Sequence, residues 1–359
     1  MRTEWLIKKT RIVMLVAFVI MIISQTAFAL GSAPPPPDTY TKTAYPIVLV
    51  HGSMGFDNTD IVGFIDTDYW PTIPYEIMRS GGTVYVAQVS ALNSPEVRGE
   101  QLIHELDFIR ALKGHQKFNL IGHSFGAPTS RYVAAVRPDL VATVSTVGGS
   151  NDSNDRDNPN PPNPADSPCG IDCQLTELIF MDAGGIRWTV PQATSDVDSS
   201  LASLREAARV SQQAVNSAYA LYGFPIDVSA DNSFDGRKEY FNRRYASGRP
   251  DCWCGQGPAV GENGIGYYSW SGTQVLTNPL DPSDAALLAA ATVGTLSGEP
   301  PQTDGLVNAC ESHWGKVIRD NYPMNHLDET NLLWELTNPF FNEVELYRQH
   351  ANRLKNAGF

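Results

Sequence analysis

The chain has 359 residues, with 26 basic and 39 acidic side chains and a formal net charge of −13. So acidic a protein is a poor ligand for nucleic acid and is expected to stay soluble, so no nucleic-acid partner is expected. Hydrophobic residues make up 42 %, no internal repeat divides the chain, and the length suits one large α/β domain.

Arg2, Lys8, Lys9 and Arg11 precede an apolar stretch from Ile12 to Ile23, followed by Ala27-Phe28-Ala29. A basic start, a short apolar run and a small-x-small site describe a signal peptide over 1–29. The run is short for a membrane anchor, so the mature protein is expected to be secreted, without a stable span. Four consecutive prolines within Gly31 to Asp38 make 30–44 an extended spacer. Residues 45–359 are expected to form a single domain.

Tyr45 to Val50 is a continuous apolar run, the pattern of a strand buried on both faces. His51 to Gly55 follows as a loop. A short helix is predicted over 74–80, closed by Gly81-Gly82, then a strand over Thr83 to Gln88. Glu96 to Leu112 has helical spacing, with Leu102, Leu106, Ile109 and Leu112 on one side and Gly114 as a stop. A strand from Lys117 to Ile121 leads into Gly122-His123-Ser124-Phe125-Gly126. A helix follows over 127–137 with Pro128 in its first turn, then a strand over Leu140 to Val147. Alternating strands and helices indicate a mostly parallel sheet flanked by helices, the α/β class.

The pattern breaks at Asn151 to Pro168, a loop rich in Asn, Asp and Pro. Helical segments are read at 174–190 and Ser199 to Leu221. The region of about 151–250 is an insertion between two sheet strands, read either as a helical lid or as an ordinary helical insertion. Strand-like runs return at Gly266 to Trp270 and Trp314 to Ile318, and a terminal helix covers Glu343 to Leu354. Five cysteines, Cys169, Cys173, Cys252, Cys254 and Cys310, follow the leader. Export is compatible with disulfides, their spacing gives no convincing zinc site, and the odd count leaves one thiol over.

Gly-x-Ser-x-Gly between a strand and a helix places a nucleophile on a turn so tight that only small residues fit two before and two after it. The bare pattern also fits an ordinary Gly/Ser turn. With its context it points to Ser124 as the nucleophile of a serine acyl hydrolase. Such a serine needs a base, and the base needs a carboxylate, in the chain order Ser, Asp or Glu, His. His313, His326 and His350 are the histidines after Ser124. His326 is preferred because it follows a strand end; His350, within the terminal helix, is expected at the surface. Asp304, in a Thr-Asp-Gly turn, is the acid considered first, with Asp281 and Asp328 competing. The oxyanion donors are expected to be the backbone N–H groups of Phe125, after the nucleophile, and Ser53, after the first buried strand. His51 precedes the serine and is expected to shape that loop.

Several stretches together resemble secreted bacterial triacylglycerol lipases of the Pseudomonas and Burkholderia type. They are Tyr-Pro-Ile-Val-Leu-Val-His-Gly (45–52), Arg-Gly-Glu-Gln-Leu (98–102), Gly-His-Ser-x-Gly (122–126) and Ser-Arg-Tyr-Val-Ala-Ala-Val (130–136). Later come Tyr-Tyr-Ser-Trp-Ser-Gly (267–272), Leu-Asp-Pro-Ser-Asp (280–284), Asp-Gly-Leu-Val (304–307), Asn-His-Leu-Asp-Glu (325–329) and His-Ala-Asn-Arg-Leu-Lys (350–355). The resemblance implies an α/β-hydrolase fold and a triad of Ser124, Asp304 and His326, with Ser53 and Phe125 as oxyanion donors. It also implies one structural calcium (Ca2+) ion, held by Asp281, Asp328 and the backbone carbonyls of Leu332 and Leu336, and a Cys254–Cys310 disulfide. The implied partners are an ester or lipid substrate at an interface and a periplasmic lipase-specific folding chaperone. The chain departs from that family at Ser53, at Phe125, at Val-Gly-Gly-Ser-Asn-Asp (147–152) and in the insertion carrying Cys169 and Cys173. A short-chain carboxylesterase or polyester depolymerase with the same triad is the alternative. A non-catalytic binding protein on a hydrolase fold is a further one, opposed by the intact Ser, Asp and His.

Overall fold

The computed structural model describes residues 38–53, 55, 58–61, 65–152, 156, 237–296, 300–332 and 335–359. The leader, Cys169, Cys173 and the helices read at 174–190 and 199–221 lie outside them.

Eight strands are described: β1 (Ile47–Val50), β2 (Asn58–Ile61), β3 (Ile65–Asp68), β4 (Val84–Ala87), β5 (Phe118–His123), β6 (Val141–Val147), β7 (Gly266–Gly272) and β8 (Lys316–Tyr322). The helices are α1 (Ile73–Arg79), α2 (Pro95–Lys113), α3 (Gly126–Val136), α4 (Arg237–Arg244), α5 (Pro282–Leu296) and α6 (Glu343–Asn356). Six strands form one parallel sheet in the order β4-β1-β5-β6-β7-β8. β2 and β3 form a separate antiparallel pair.

The period of a strand sorts its side chains between two cores. Val48, Val50 and Leu120 pack against Leu102, Leu106 and Ile109 of α2 and Tyr132 and Val133 of α3. Ile47, Leu49 and Ile121 point the other way, against Ile73 and Ile77 of α1 and Tyr347 and Ala351 of α6. Each fully buried aliphatic side chain contributes about 1.5–3 kcal/mol. That explains the continuous apolar run of β1: every position of β1, β5 and β6 is buried.

Local signals fix the helix ends. The Ser94 hydroxyl caps α2 by accepting from the Val97 N–H, and Gly114, at φ 75°, closes it in the left-handed conformation. Leu112, expected on the buried side, is 63 % exposed, because the last turn of α2 runs past the core. β8 begins at Lys316 rather than Trp314; Trp314 is buried in the preceding loop, its ring N–H donating to the Ser247 carbonyl. Residues 38–44, read as spacer, pack on the domain: the Thr41 N–H donates to the Ser80 carbonyl and its hydroxyl to that of Ile77. Among the described residues, no helix is long and apolar enough to cross a membrane.

Candidate active site

The parallel strands deliver the chemistry at their carboxyl ends, where open α/β sheets carry their sites. β1 ends at His51-Gly52-Ser53, β5 at His123-Ser124, and β8 leads to the loop of His326.

Ser124 has φ 53°, a left-handed conformation that a serine adopts only under constraint. The turn excludes side chains on both sides. A Cβ at Gly122 would lie 2.3 Å from the Gly126 carbonyl oxygen, and one at Gly126 would lie 2.2 Å from that of Val50. The Ser124 N–H donates to the Val147 carbonyl, so β6 braces the turn. Phe125 is the N-cap of α3, at the end where the first N–H groups have no acceptor within the helix. Its ring is buried beneath the Arg98 guanidinium, 5.3 Å away.

Asp304 and His326 meet by two bonds. The His326 N–H donates to the Asp304 carbonyl, and His326 Nδ1 lies 2.7 Å from Asp304 Oδ2. The other carboxylate oxygen, Oδ1, accepts from the N–H groups of Leu306 and Val307 at 2.9 and 2.8 Å. Both side chains are buried. A carboxylate accepts, so Nδ1 carries the proton and Nε2 keeps its lone pair, the form a general base needs. His123, next to the serine, holds the His326 ring in place. Its ring lies 4.6 Å from that of His326, and its Nε2 is 3.0 Å from the His326 carbonyl oxygen.

The loop after β1 is anchored from α2. Arg98, fully buried, donates from its guanidinium to the carbonyls of His51, Gly52 and Ala91 and to the Thr129 hydroxyl. His51 Nε2 accepts from the Val89 N–H, so its Nδ1 donates to the Gly52 carbonyl at 2.9 Å. Burial, then the charge of Arg98, lowers the His51 pKa to about 3, so the ring is neutral. His51 therefore shapes the loop.

Glu329 is a buried acid with no role in the sequence reading. Its Oε1 accepts from the Gly272 N–H, and its Oε2 stands 3.4 Å from His123 Nε2 and 4.0 Å from His326 Nδ1. Burial, reinforced by Asp304, pushes its pKa well above the usual carboxylate range. Its only sequence signal is its place three residues after His326. Tyr69 and Arg98 were also missed as site residues, since their roles depend on contacts far away in the chain.

The other two histidines lie elsewhere. His313 bonds the Gly255 carbonyl and Asp320. His350 corrects the expectation of a surface position. It is 1 % exposed, and its Nε2 bonds the Ser145 hydroxyl 2.7 Å away in the middle of β6. The apolar face of α6 carries it inward against the sheet.

Asp281 and Asp328 are brought together, joined by Asp284. The Asn325 side chain reaches both Asp281 and Asp284, and Asp328 accepts from the Asn325 N–H. Asp284 accepts from the N–H groups of Thr277 and Asn278. All three are buried, and among the described residues no Lys or Arg pairs with them. Burial, with Asp281 and Asp284 adding to it, raises the Asp328 pKa to about 7. Buried, uncompensated carboxylate oxygens form a donor set suited to a hard divalent cation. Leu332 and Leu336 follow on the same stretch of chain. Cys254 and Cys310 form a disulfide, and Cys252 is an exposed free thiol.

A family model described as alpha/beta hydrolase fold matches residues 45–167. A triacylglycerol lipase of Vibrio cholerae serotype O1 is 42 % identical over 320 residues, covering 89 % of this chain and 90 % of that one. A triacylglycerol lipase of Pseudomonas fragi is 38 % identical over 328 residues, covering 89 % and 99 %. The solved structure of lipase 1 from Pelosinus fermentans superposes with a TM-score of 0.51 at 15 % identity, covering 87 % and 99 %, a likeness of fold. The chain thus belongs to the triacylglycerol lipase family and has the α/β-hydrolase fold.

Proposed function

We propose that this enzyme is a secreted triacylglycerol lipase working through Ser124, His326 and Asp304. The observation that carries the reading is the buried Asp304–His326 pair, held by His123 beside a serine in a strained turn. Ser124 Oγ attacks the ester carbonyl while His326 Nε2 takes its proton. The N–H groups of Ser53 and Phe125 receive the developing oxyanion. His326 then protonates the departing alcohol, and a water activated by the same nitrogen releases the fatty acid from Ser124. Asp304 keeps the imidazole in the required tautomer and stabilises its charged form.

Replacing Ser124 by Ala is expected to lower kcat by on the order of 10⁴-fold or more. An organophosphate should label Ser124 in the wild-type enzyme and leave the variant unlabelled. Substantial hydrolysis by Ser124→Ala would refute the triad. A chain-length series, from soluble short-chain esters to long-chain emulsions and polyester films, separates a lipase from an esterase or depolymerase.

The same reading includes one structural calcium ion, held by Asp281, Asp328 and the carbonyls of Leu332 and Leu336. When bound, it supplies positive charge among carboxylates that otherwise repel. Asp328 stands two residues after His326, and Asn325 Oδ1 accepts from the N–H groups of Leu327 and Asp328. A fixed Asp328 therefore holds the loop of the base. Export through the leader, and a periplasmic folding chaperone as partner, complete the proposal.

A further inference from the structure

We propose that Tyr69 and His123 are positioning residues that tie the oxyanion loop to the loop carrying His326 through one directed chain of hydrogen bonds. This rests on the triad reading above and extends it.

The Gly52 N–H donates to the Tyr69 hydroxyl at 3.1 Å. That hydroxyl lies 2.7 Å from His123 Nδ1, and His123 Nε2 lies 3.0 Å from the His326 carbonyl oxygen. Only one proton arrangement satisfies all three contacts with a neutral imidazole. The carbonyl can only accept, so His123 Nε2 carries the proton. Its Nδ1 is then an acceptor, so the Tyr69 O–H must donate to it. The Tyr69 oxygen is left to accept from Gly52. Every link has a single direction.

Burial keeps His123 in that neutral form. The ring is fully enclosed, and burial, then His326, lowers its pKa well below the usual histidine value. The chain also has little room to swing. The Tyr69 ring packs against those of His51, Trp70 and His123 at 5.9, 5.4 and 5.7 Å.

Both ends of the chain sit beside reacting groups. A Cβ at Gly52 would lie 2.7 Å from Ser124 Cβ, and Gly52 is followed by Ser53. The carbonyl at the other end belongs to His326 itself. Oxyanion donors act only if they stand 2.7–3.1 Å from the charge as it forms, while the base keeps its own reach to Ser124 Oγ. These two requirements fall on loops at opposite ends of the sequence. Tyr69 and His123 make them one rigid unit, which acts on the transition state rather than on substrate capture.

The test uses Tyr69→Phe, which removes one oxygen and keeps the ring. On a soluble p-nitrophenyl ester, kcat should fall about tenfold with KM within twofold of wild type, the loss expected of about one net hydrogen bond. The affinity of an alkyl boronic acid, which forms a tetrahedral adduct on Ser124, should fall in parallel. His123→Asn should lose a similar factor, and the double variant little more than either single one, because cutting one chain twice costs little more than cutting it once. A wild-type kcat in Tyr69→Phe, a change confined to KM, or losses that multiply in the double variant would each overturn the proposal. Should His123→Asn not fold, kcat and boronate affinity of Tyr69→Phe decide alone, with organophosphate titration counting intact sites. Ser124→Ala separates the two readings. Activity surviving there defeats the triad itself, whereas an inactive Ser124→Ala beside a fully active Tyr69→Phe defeats only the coupling.

Discussion

The peptide between Gly52 and Ser53 shows how one residue governs another without touching substrate. The peptide is trans, as is every peptide bond among the described residues, so the Ser53 N–H points opposite to the Gly52 carbonyl in the same plane. Arg98 Nη1 and His51 Nδ1 both grip that carbonyl. Holding one end of the plane aims the other. Lysine cannot reproduce the fork that reaches three carbonyls and a hydroxyl. Arg98→Lys is therefore expected to lower kcat about ten- to a hundredfold with little change in KM, and to lose about 2 kcal/mol of stability by urea unfolding. An unchanged kcat in a folded Arg98→Lys would show that the oxyanion loop holds itself. The buried histidines carry a second expectation. His51, His123 and His350 all have pKa values lowered by burial. Their contribution to stability is complete above the unfolded value of about 6.5 and is lost as pH falls below it. Each removes up to about 1.4 kcal/mol per pH unit there. Asp328, Glu329 and Glu343, whose pKa values burial raises, act in the opposite direction over the same window. The histidine contribution is therefore read by difference: a His350→Gln variant should lose less of its urea midpoint than the wild type between pH 6.5 and 5. At this scale the sequence disclosed residues with a motif around them: Ser124, and His326 at a strand end. Arg98 and Glu329 lie in stretches that resemble the lipases, 98–102 and 325–329. Nothing local assigns a role to them or to Tyr69, because what defines the three is burial among partners brought by other strands. His350 was misplaced for the same reason: its neighbour Ser145 lies 205 residues away.

Two features of the chain bear on the Asp304–His326 pair: α5, with its preceding turn, and the disulfide-closed segment that contains it. Cys254 and Cys310 are 56 residues apart, and the loop they close includes β7, α5 and Asp304. Chain-entropy reasoning puts the constraint at about 4 kcal/mol for a loop of that length. The Cys254→Ser, Cys310→Ser double variant should lose stability up to that amount, read as a lower Tm. A Tm equal to wild type would show that the bond constrains nothing. The carboxylates at the start of α5 give a complementary expectation. Free calcium a hundredfold above its Kd should stabilise the enzyme by about 2.7 kcal/mol, and a chelator should remove that gain. Asp328→Asn should melt at the same temperature with and without the ion. A wild-type Tm indifferent to chelator would refute the metal site. Elements were legible where burial is continuous. β1 declares itself by an apolar run, and β5 and β6 by short stretches rich in Val, Ile, Leu and Thr between helices. α5 was missed because Pro-Ser-Asp-Ala-Ala-Leu-Leu-Ala-Ala-Ala-Thr-Val-Gly-Thr-Leu has no polar stripe to set its period. α4 is the reverse case: Arg-Lys-Glu-Tyr-Phe-Asn-Arg-Arg is too polar to advertise a buried face. Its polar groups are spent on ion pairs, such as that of Glu239 with Arg249.

For the whole molecule, alternation of strand and helix was enough to give the class and the two-sided sheet, since the 2.0 and 3.6 periods survive in the sequence. Strand order was not written there. β4 and β5 flank β1, and β7 joins β6 across the long insertion. Long-range pairing of buried faces decides that, and no short window contains it. This topology has a kinetic consequence. His123 and His326 touch across 203 residues of chain, and their contact requires β5 and β8, at different places in one sheet, to be aligned. Parallel pairings of such separation are slow to form, because loop closure is costly before any contact compensates it. The Ser124 turn can take shape with β5, β6 and α3 alone, but His326 arrives only with the last strands. During refolding from denaturant, far-UV signal should therefore recover before esterase activity. The appearance of activity then reports the completion of the entire sheet.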